Sequence, residues 1–259
     1  MANTDVGHML KRILWIASIF MAAALLITMV QKKKTREANE TVILITPLPD
    51  GNNLIDAEDV LLTIERSFGH RLVGLPIGAL NVERVERILE EDPFILSADV
   101  FVDAENKIHI EVIQREPILR IIDKNGLNYY LDKLGKKMPL SKHFTARVLV
   151  ATGNIPPYDP NYLDRKGNRM KNLYELTNII LQDELLQPMV EHVFIQEKGD
   201  FVMIPKVGNQ KIIIGDLFMI DDKIFRLKAF YKEAMSRLGW NKYRSINLKF
   251  KNQVVCKKR

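Results

Sequence analysis

The run Ile13 to Val30, ILWIASIFMAAALLITMV, limits this chain more than any other feature. It carries no charge and is bounded by Lys11 and Arg12 on one side and by Lys32, Lys33 and Lys34 on the other. At about 1.5 Å per residue a helix of this run covers roughly 27 Å, enough for the hydrocarbon core of a bilayer. A cleaved signal peptide fits less well than an uncleaved anchor, because the small residues Ala22, Ala23 and Ala24 lie inside the run rather than after it. The N-terminal part is therefore expected to be a short tail (1–12), a transmembrane helix (13–30) and a polar stalk (31–40). Lys32, Lys33, Lys34 and Arg36 after the span outnumber Lys11 and Arg12 before it. By the positive-inside rule alone, that balance places the C-terminal body in the cytoplasm.

A hydrophobic content of 47% lets the rest of the chain bury a real core. The net charge of +6 is mostly interleaved with acidic residues, and its unmixed cations sit in QKKKTR and CKKR without aromatics between them. Such a pattern does not build a nucleic-acid groove, so no nucleic-acid partner is expected. The single cysteine, Cys256, excludes an intramolecular disulfide.

Periodicity divides the body in two. TVILIT (41–46) reads as a strand; DAEDVLLTIERSF, with Asp56 as N-cap, and NVERVERILEED, capped by Asn81, read as helices with one apolar face each. LSADVFVD and KIHIEVIQ alternate with period two around the turn Asp103 to Asn106. Strand, helix, helix, strand, strand over 41–116 makes a compact α+β unit. From 117 to 259 the pattern is mainly short strands: ILRII, NYYLD, ARVLVATG, VEHVFIQ, DFVMIP, QKIIIG and a closing pair, YRSINLKF and QVVCKK. Helices are expected at KNLYELTNIILQDELLQ, stopping at Pro188, and at DKIFRLKAFYKEAMSRLG. The fold class is α+β, ending in a mixed sheet with two helices, and the loop IPPYDPNYLDRKGNR receives no role.

No constellation for catalysis emerges. The histidines His8, His70, His109, His143 and His192 lack HxH, HxxH or HExxH spacing. Ser67 and Ser141 sit in no GxSxG or SxxK motif, and the loop glycines Gly69, Gly74 and Gly78 lack phosphate-loop spacing. The pairs Glu90-Glu91, Asp183-Glu184 and Asp221-Asp222 fall at helix ends, where capping accounts for them. Cys256 has no base in its own segment, although Lys257 and Lys258 could lower its pKa. No catalytic residue, cofactor or metal is assigned.

Three stretches carry a resemblance: IHIEVIQREPILRI (108–121), YYLDKLGKKMPLS (129–141) and YRSINLKFKNQVVCK (243–257). Together with the order anchor, small α+β unit, sheet domain and terminal hairpin, they resemble the FtsQ/DivIB family of bacterial cell-division proteins across nearly the whole chain. The resemblance implies a POTRA domain at 41–116 and a β domain at 117–259. It implies a non-catalytic scaffold of the divisome in the inner membrane, single-pass, with the N-terminus cytoplasmic and both domains outside. Such a scaffold acts at the division septum and recruits FtsB/FtsL-like coiled-coil partners, with further divisome proteins reached through the POTRA domain. This orientation opposes the one given by charge.

With Asn247 to Phe250 pairing inward, Gln253 to Lys258 becomes the sheet edge, and its free N–H and C=O groups can accept a partner strand. Cations there discourage promiscuous pairing and attract an acidic segment. The expected partner-binding residues are Phe250, Gln253, Val254, Val255, Cys256, Lys257 and Lys258, with Phe250, Val254 and Cys256 as apolar contacts and Lys257 as the charge. Two other readings stay open: a POTRA-containing chaperone of outer-membrane assembly or secretion, and a membrane-anchored cell-wall hydrolase, which needs His143 or His192 joined to carboxylates in a pocket. A cytoplasm-facing regulator follows if the charge rule sets the topology.

Overall fold

The computed structural model describes residues 3–235, 239 and 242–259. The chain divides into two compact units, Met1–Gln114 and Arg115–Arg259.

In the first unit helix α1 runs from Asn3 to Lys34, so the apolar run and most of the tail before it form one continuous helix. Its part from Leu14 to Lys34 is long and apolar enough to cross a membrane and is wholly unburied. The segment 31–40 is not a free stalk. It is helical to Lys34, and then Ile77 N–H donates to the Arg36 carbonyl and Ala38 N–H to the Leu75 carbonyl, both at 2.9 Å. Ala38 is buried in the core, because a small apolar side chain there fits where a charged one would be desolvated.

The globular part follows the expected β-α-α-β-β order. Strand β1 (Glu40–Thr46) precedes helices α2 (Ala57–Phe68) and α3 (Val82–Glu90), which are followed by strands β2 (Ile95–Val102) and β3 (Lys107–Gln114). The strand order is β1-β3-β2, with β1 parallel and β2 antiparallel to the central β3. Asp56 forms a capping box with Asp59, satisfying an otherwise orphaned N–H at each end of the exchange. Asn81 Oδ1 accepts from Arg84 N at 2.9 Å. Val60 and Ile64 of α2 and Val85 and Leu89 of α3 close over Ile108, Ile110 and Val112 of β3. Those three alternate residues all face the helices, as a period of two dictates.

The second unit is a nine-stranded sheet. Its strands are β4 (Pro117–Ile122), β5 (Asn128–Asp132), β6 (Lys137–Met138), β7 (Leu149–Gly153), β8 (Val190–Ile195), β9 (Phe201–Pro205), β10 (Lys211–Gly215), β11 (Tyr243–Asn247) and β12 (Val255–Lys258). They lie in the order β12-β11-β10-β9-β8-β7-β4-β5-β6. Helices α4 (Arg169–Gln182) and α6 (Ile220–Phe230) supply Leu173, Leu176, Ile180, Ile224 and Leu227 to the core, against Leu119, Ile121, Val193, Ile195, Met203 and Ile246 of the sheet.

Three boundaries differ from expectation. The helix expected over 171–187 ends at Gln182, where the Asp183 carboxylate accepts from the N–H groups of Leu185 and Leu186 and turns the chain. Pro188 then lies inside a one-turn helix, α5 (Leu186–Met189), where its missing N–H needs no partner. The last helix starts earlier, at Ile220, and widens into a π-turn at Tyr231–Met235; its expected continuation through 236–238 lies outside the described residues.

The two motifs at the start of this unit work together. Asp132, 2% exposed in its side chain, accepts from the N–H groups of Leu134 and Lys136 through Oδ1 and from Arg115 through Oδ2 at 3.0 Å. The loop that had no role proves structural: Ile155 and Tyr162 are buried, and Tyr162 donates its hydroxyl to the Gly135 carbonyl at 3.0 Å. Gly135 has φ of 75°, and a Cβ there would strike the Tyr162 hydroxyl. Tyr129, Tyr158, Tyr162 and Tyr174 form a chain of edge-on rings beside it, 5.9 to 6.3 Å between centroids.

Candidate functional site

The sheet of the second unit terminates in β12, which pairs with β11 alone among the described residues. The register is antiparallel, with Ser245 opposite Lys257, Ile246 opposite Cys256 and Asn247 opposite Val255. Both strands are shorter than the sequence suggests. Phe250, Gln253 and Val254 lie in the connection, where Asn252 takes a left-handed φ of 56° to make the turn.

Which backbone groups are open follows from alternation. Leu248 N–H donates to the Ile213 carbonyl at 2.9 Å, so the even residues of β11 face β10 and the odd ones face β12. Val255 and Lys257 therefore return those bonds, in keeping with Arg259 N–H reaching the Lys242 carbonyl at 3.3 Å. The backbone N–H and C=O of Cys256 and Lys258 point away from the sheet. These are the groups an added strand would meet.

Side chains sort differently from the expectation. Val254 and Cys256 turn inward and pack on the core, so neither offers a free apolar surface. Burial pushes the Cys256 thiol up, which outweighs any help from the adjacent lysines. Phe250 is 51% exposed and Val255 43%, and Gln253, Lys257 and Lys258 are exposed. The apolar contacts available at this edge are Phe250 and Val255. Seven cations and no acidic residue fall within 242–259, so the hairpin alone accounts for the chain's net charge of +6.

One residue that the sequence reading passed over organises this region. Arg226 of α6, with its side chain 12% exposed, donates Nε to Asp222 Oδ2 at 2.9 Å. Its Nη1 donates to the carbonyls of Phe250, at 2.9 Å, and Gln253, and its Nη2 to the Leu248 carbonyl at 3.3 Å. The planar guanidinium fork spans all three acceptors at once, which an ammonium could not do. The spacing Asp222 to Arg226 in a helix was the available signal, but i,i+4 pairs are common on helix surfaces and say nothing of a third partner. Lys249 adds a second tie, its ammonium 2.6 Å from Asp200 Oδ2.

Two of the histidines weighed for catalysis, His192 and His109, have plain surroundings. His192 Nε2 lies 2.8 Å from Thr152 Oγ1, and burial holds its ring below the usual imidazole range. His109 sits 2.8 Å from Asp103 Oδ2 and stacks on Phe101 with centroids 5.0 Å apart. His143 is exposed, with its backbone N–H on Ser141 Oγ at 3.0 Å.

A search of the curated proteins finds no match to this chain. Two family models match it: one described as a POTRA-like domain, over residues 49–113, and one described as FtsQ/DivIB, C-terminal related, over residues 116–257. The second covers more than half of the sequence and contains the whole nine-stranded sheet except its final residue, and the first covers the helices and the β2–β3 hairpin of the smaller one. The chain belongs to the FtsQ/DivIB family of divisome scaffolds.

Proposed function

We propose that this protein is a non-catalytic, single-pass inner-membrane scaffold that recruits FtsB/FtsL-like coiled-coil partners by strand addition at β12. The N-terminus is cytoplasmic, the part of the first unit after α1 and the whole second unit lie outside, and the site of action is the division septum. The observation that carries this reading is the open β12 edge: the outward backbone groups of Cys256 and Lys258, framed by exposed Phe250 and Val255 on an entirely cationic hairpin. Backbone pairing gives affinity, alternate side chains give register, and the lysines favour an acidic strand. The topology opposes the charge balance around the span, so orientation is tested first. A reporter fused after Arg259 should be active only outside the cytoplasm, and cytoplasmic activity ends the proposal.

Strand addition is tested by proline. Lys258→Pro removes an outward N–H and leaves the bonds to β11 in place, which an edge strand tolerates. Capture of the partner by the full-length protein should fall more than tenfold with the melting temperature unchanged. Val255→Pro, in contrast, removes an inward N–H and should destabilise the hairpin itself. Undiminished capture by folded Lys258→Pro excludes strand addition at this edge.

A further inference from the structure

The first unit has an open strand edge of its own, with the opposite charge. Asn39 N–H donates to the Asn106 carbonyl at 3.0 Å, toward β3. Ala38 N–H donates to the Leu75 carbonyl at 2.9 Å, and Gly74 N–H to the Ala38 carbonyl at 2.8 Å, both away from β3. Alternation along the strand then assigns Thr41, Ile43 and Ile45 to the β3 ladder and turns the backbone groups of Glu40, Val42 and Leu44 outward, while the Thr46 carbonyl accepts from Gln114 Nε2 at 2.9 Å. Residues 74–77, bridged at Glu37–Pro76, act as a fragment of a fourth strand. Among the described residues, that fragment stops where β1 begins.

Where it stops, a cavity of about 380 Å³ opens between β1 and α2. Leu61, Leu62, Leu72 and Val73 line it, with Glu40, Glu58, Glu65 and Arg71 as its charged residues. Leu61 and Val73 are 39% and 45% exposed, the mark of an incompletely covered groove in a unit whose central strand buries Ile108, Ile110 and Val112 completely. The inward residues of β1 are only half-buried, and the Thr41 hydroxyl is enclosed with no hydrogen-bond partner among the described residues. Glu65 is paired with Arg71 and Glu40 with Lys107, while Glu58 has no ion pair among the described residues.

We propose that this groove binds an extended segment of a partner protein in which apolar and basic residues alternate, laid antiparallel to β1 in line with residues 74–77. Its backbone completes the bonds of Val42 and Leu44, its apolar side chains enter between Leu61 and Val73, and a cation meets Glu58. The surface goes beyond the β12 edge: it lies in the other unit and selects the opposite charge.

The test uses the full-length protein in zwitterionic micelles and a fluorescent amidated peptide, Lys-Val-Lys-Val-Lys-Val, followed by anisotropy. Binding should be saturable, at least tenfold tighter than for the Glu-Val or Lys-Gly counterparts, and should slow hydrogen exchange at the Val42 and Leu44 amides. Leu44→Pro should weaken it at least tenfold while the β3 ladder stays intact. Glu58→Lys, which leaves the backbone untouched, should weaken it about tenfold and decides the matter if the proline variant does not fold. Equal affinity for the Lys-Gly peptide, protection elsewhere than β1, or affinity unchanged by Glu58→Lys overturns the proposal. So does concentration-dependent self-association that Leu44→Pro abolishes, since a second copy then occupies the groove. Loss of partner capture at β12 leaves these outcomes unaffected, so the two readings fail separately.

Discussion

Arg226 shows how one side chain can hold an open sheet edge that it does not itself form. Its fork ties the carbonyls of Leu248, Phe250 and Gln253 to α6. Arg226→Ala should cost about 2–4 kcal/mol in urea unfolding, since hydrogen bonds from a charged donor are each worth roughly 1.5–3 kcal/mol and are not additive. Arg226→Lys should recover only part of that, and hydrogen exchange of the β12 amides should quicken in both. His192 gives a pH prediction. Because burial lowers its pKa, the unfolded chain binds a proton that the folded one resists, between the lowered folded value and the ordinary value of about 6.5. Stability from this group is complete above that window and declines as pH falls through it. The melting temperature should therefore drop between pH 7 and 5, and His192→Gln should flatten that slope. Neither residue's role was legible in the sequence, because Arg226 is defined by carbonyls more than twenty positions away and His192 by a threonine forty away.

Local pattern sufficed for most elements. Asp56 and Asn81 mark their helix starts by capping chemistry that acts within three residues, and Ile108, Ile110 and Val112 mark a buried face by period two. Elements decided by tertiary bonds were misjudged. The segment after the anchor looks polar, yet its backbone at Arg36, Ala38 and Asn39 is committed to Ile77, Leu75, Gly74 and Asn106. A soluble fragment beginning at Thr41 should consequently be less stable than one beginning at Thr35 by about 2–6 kcal/mol, from four lost backbone bonds at roughly 0.5–1.5 kcal/mol each. Calorimetry of the two fragments measures it. At the hairpin, the alternation of QVVCKK was readable, but which parity faces the core was not. Cys256 and Val254 turned inward because Cys256 lies opposite the buried Ile246.

Across the molecule, charge is segregated rather than spread: the cations of residues 242–259 equal or exceed the whole net charge, and the remainder is close to neutral. Exposed charges separated by more than about 8 Å are screened at physiological ionic strength. Association of the proposed partner at β12 should thus slow several-fold between 50 and 300 mM salt, with dissociation nearly constant, as stopped-flow mixing would show. The order of the large sheet has a different consequence. From β7 to β12 the strands lie side by side in the order in which they are translated, so along this arm each pairing joins neighbours in the chain. Of these, the antiparallel pairs β8–β9, β9–β10 and β11–β12 close short loops and form quickly, whereas the parallel pairs β7–β8 and β10–β11 must first enclose helices. Along this arm each strand thus has the strand translated before it as its template. A partner that pairs with β12 repeats, between two chains, the step by which every earlier strand was added.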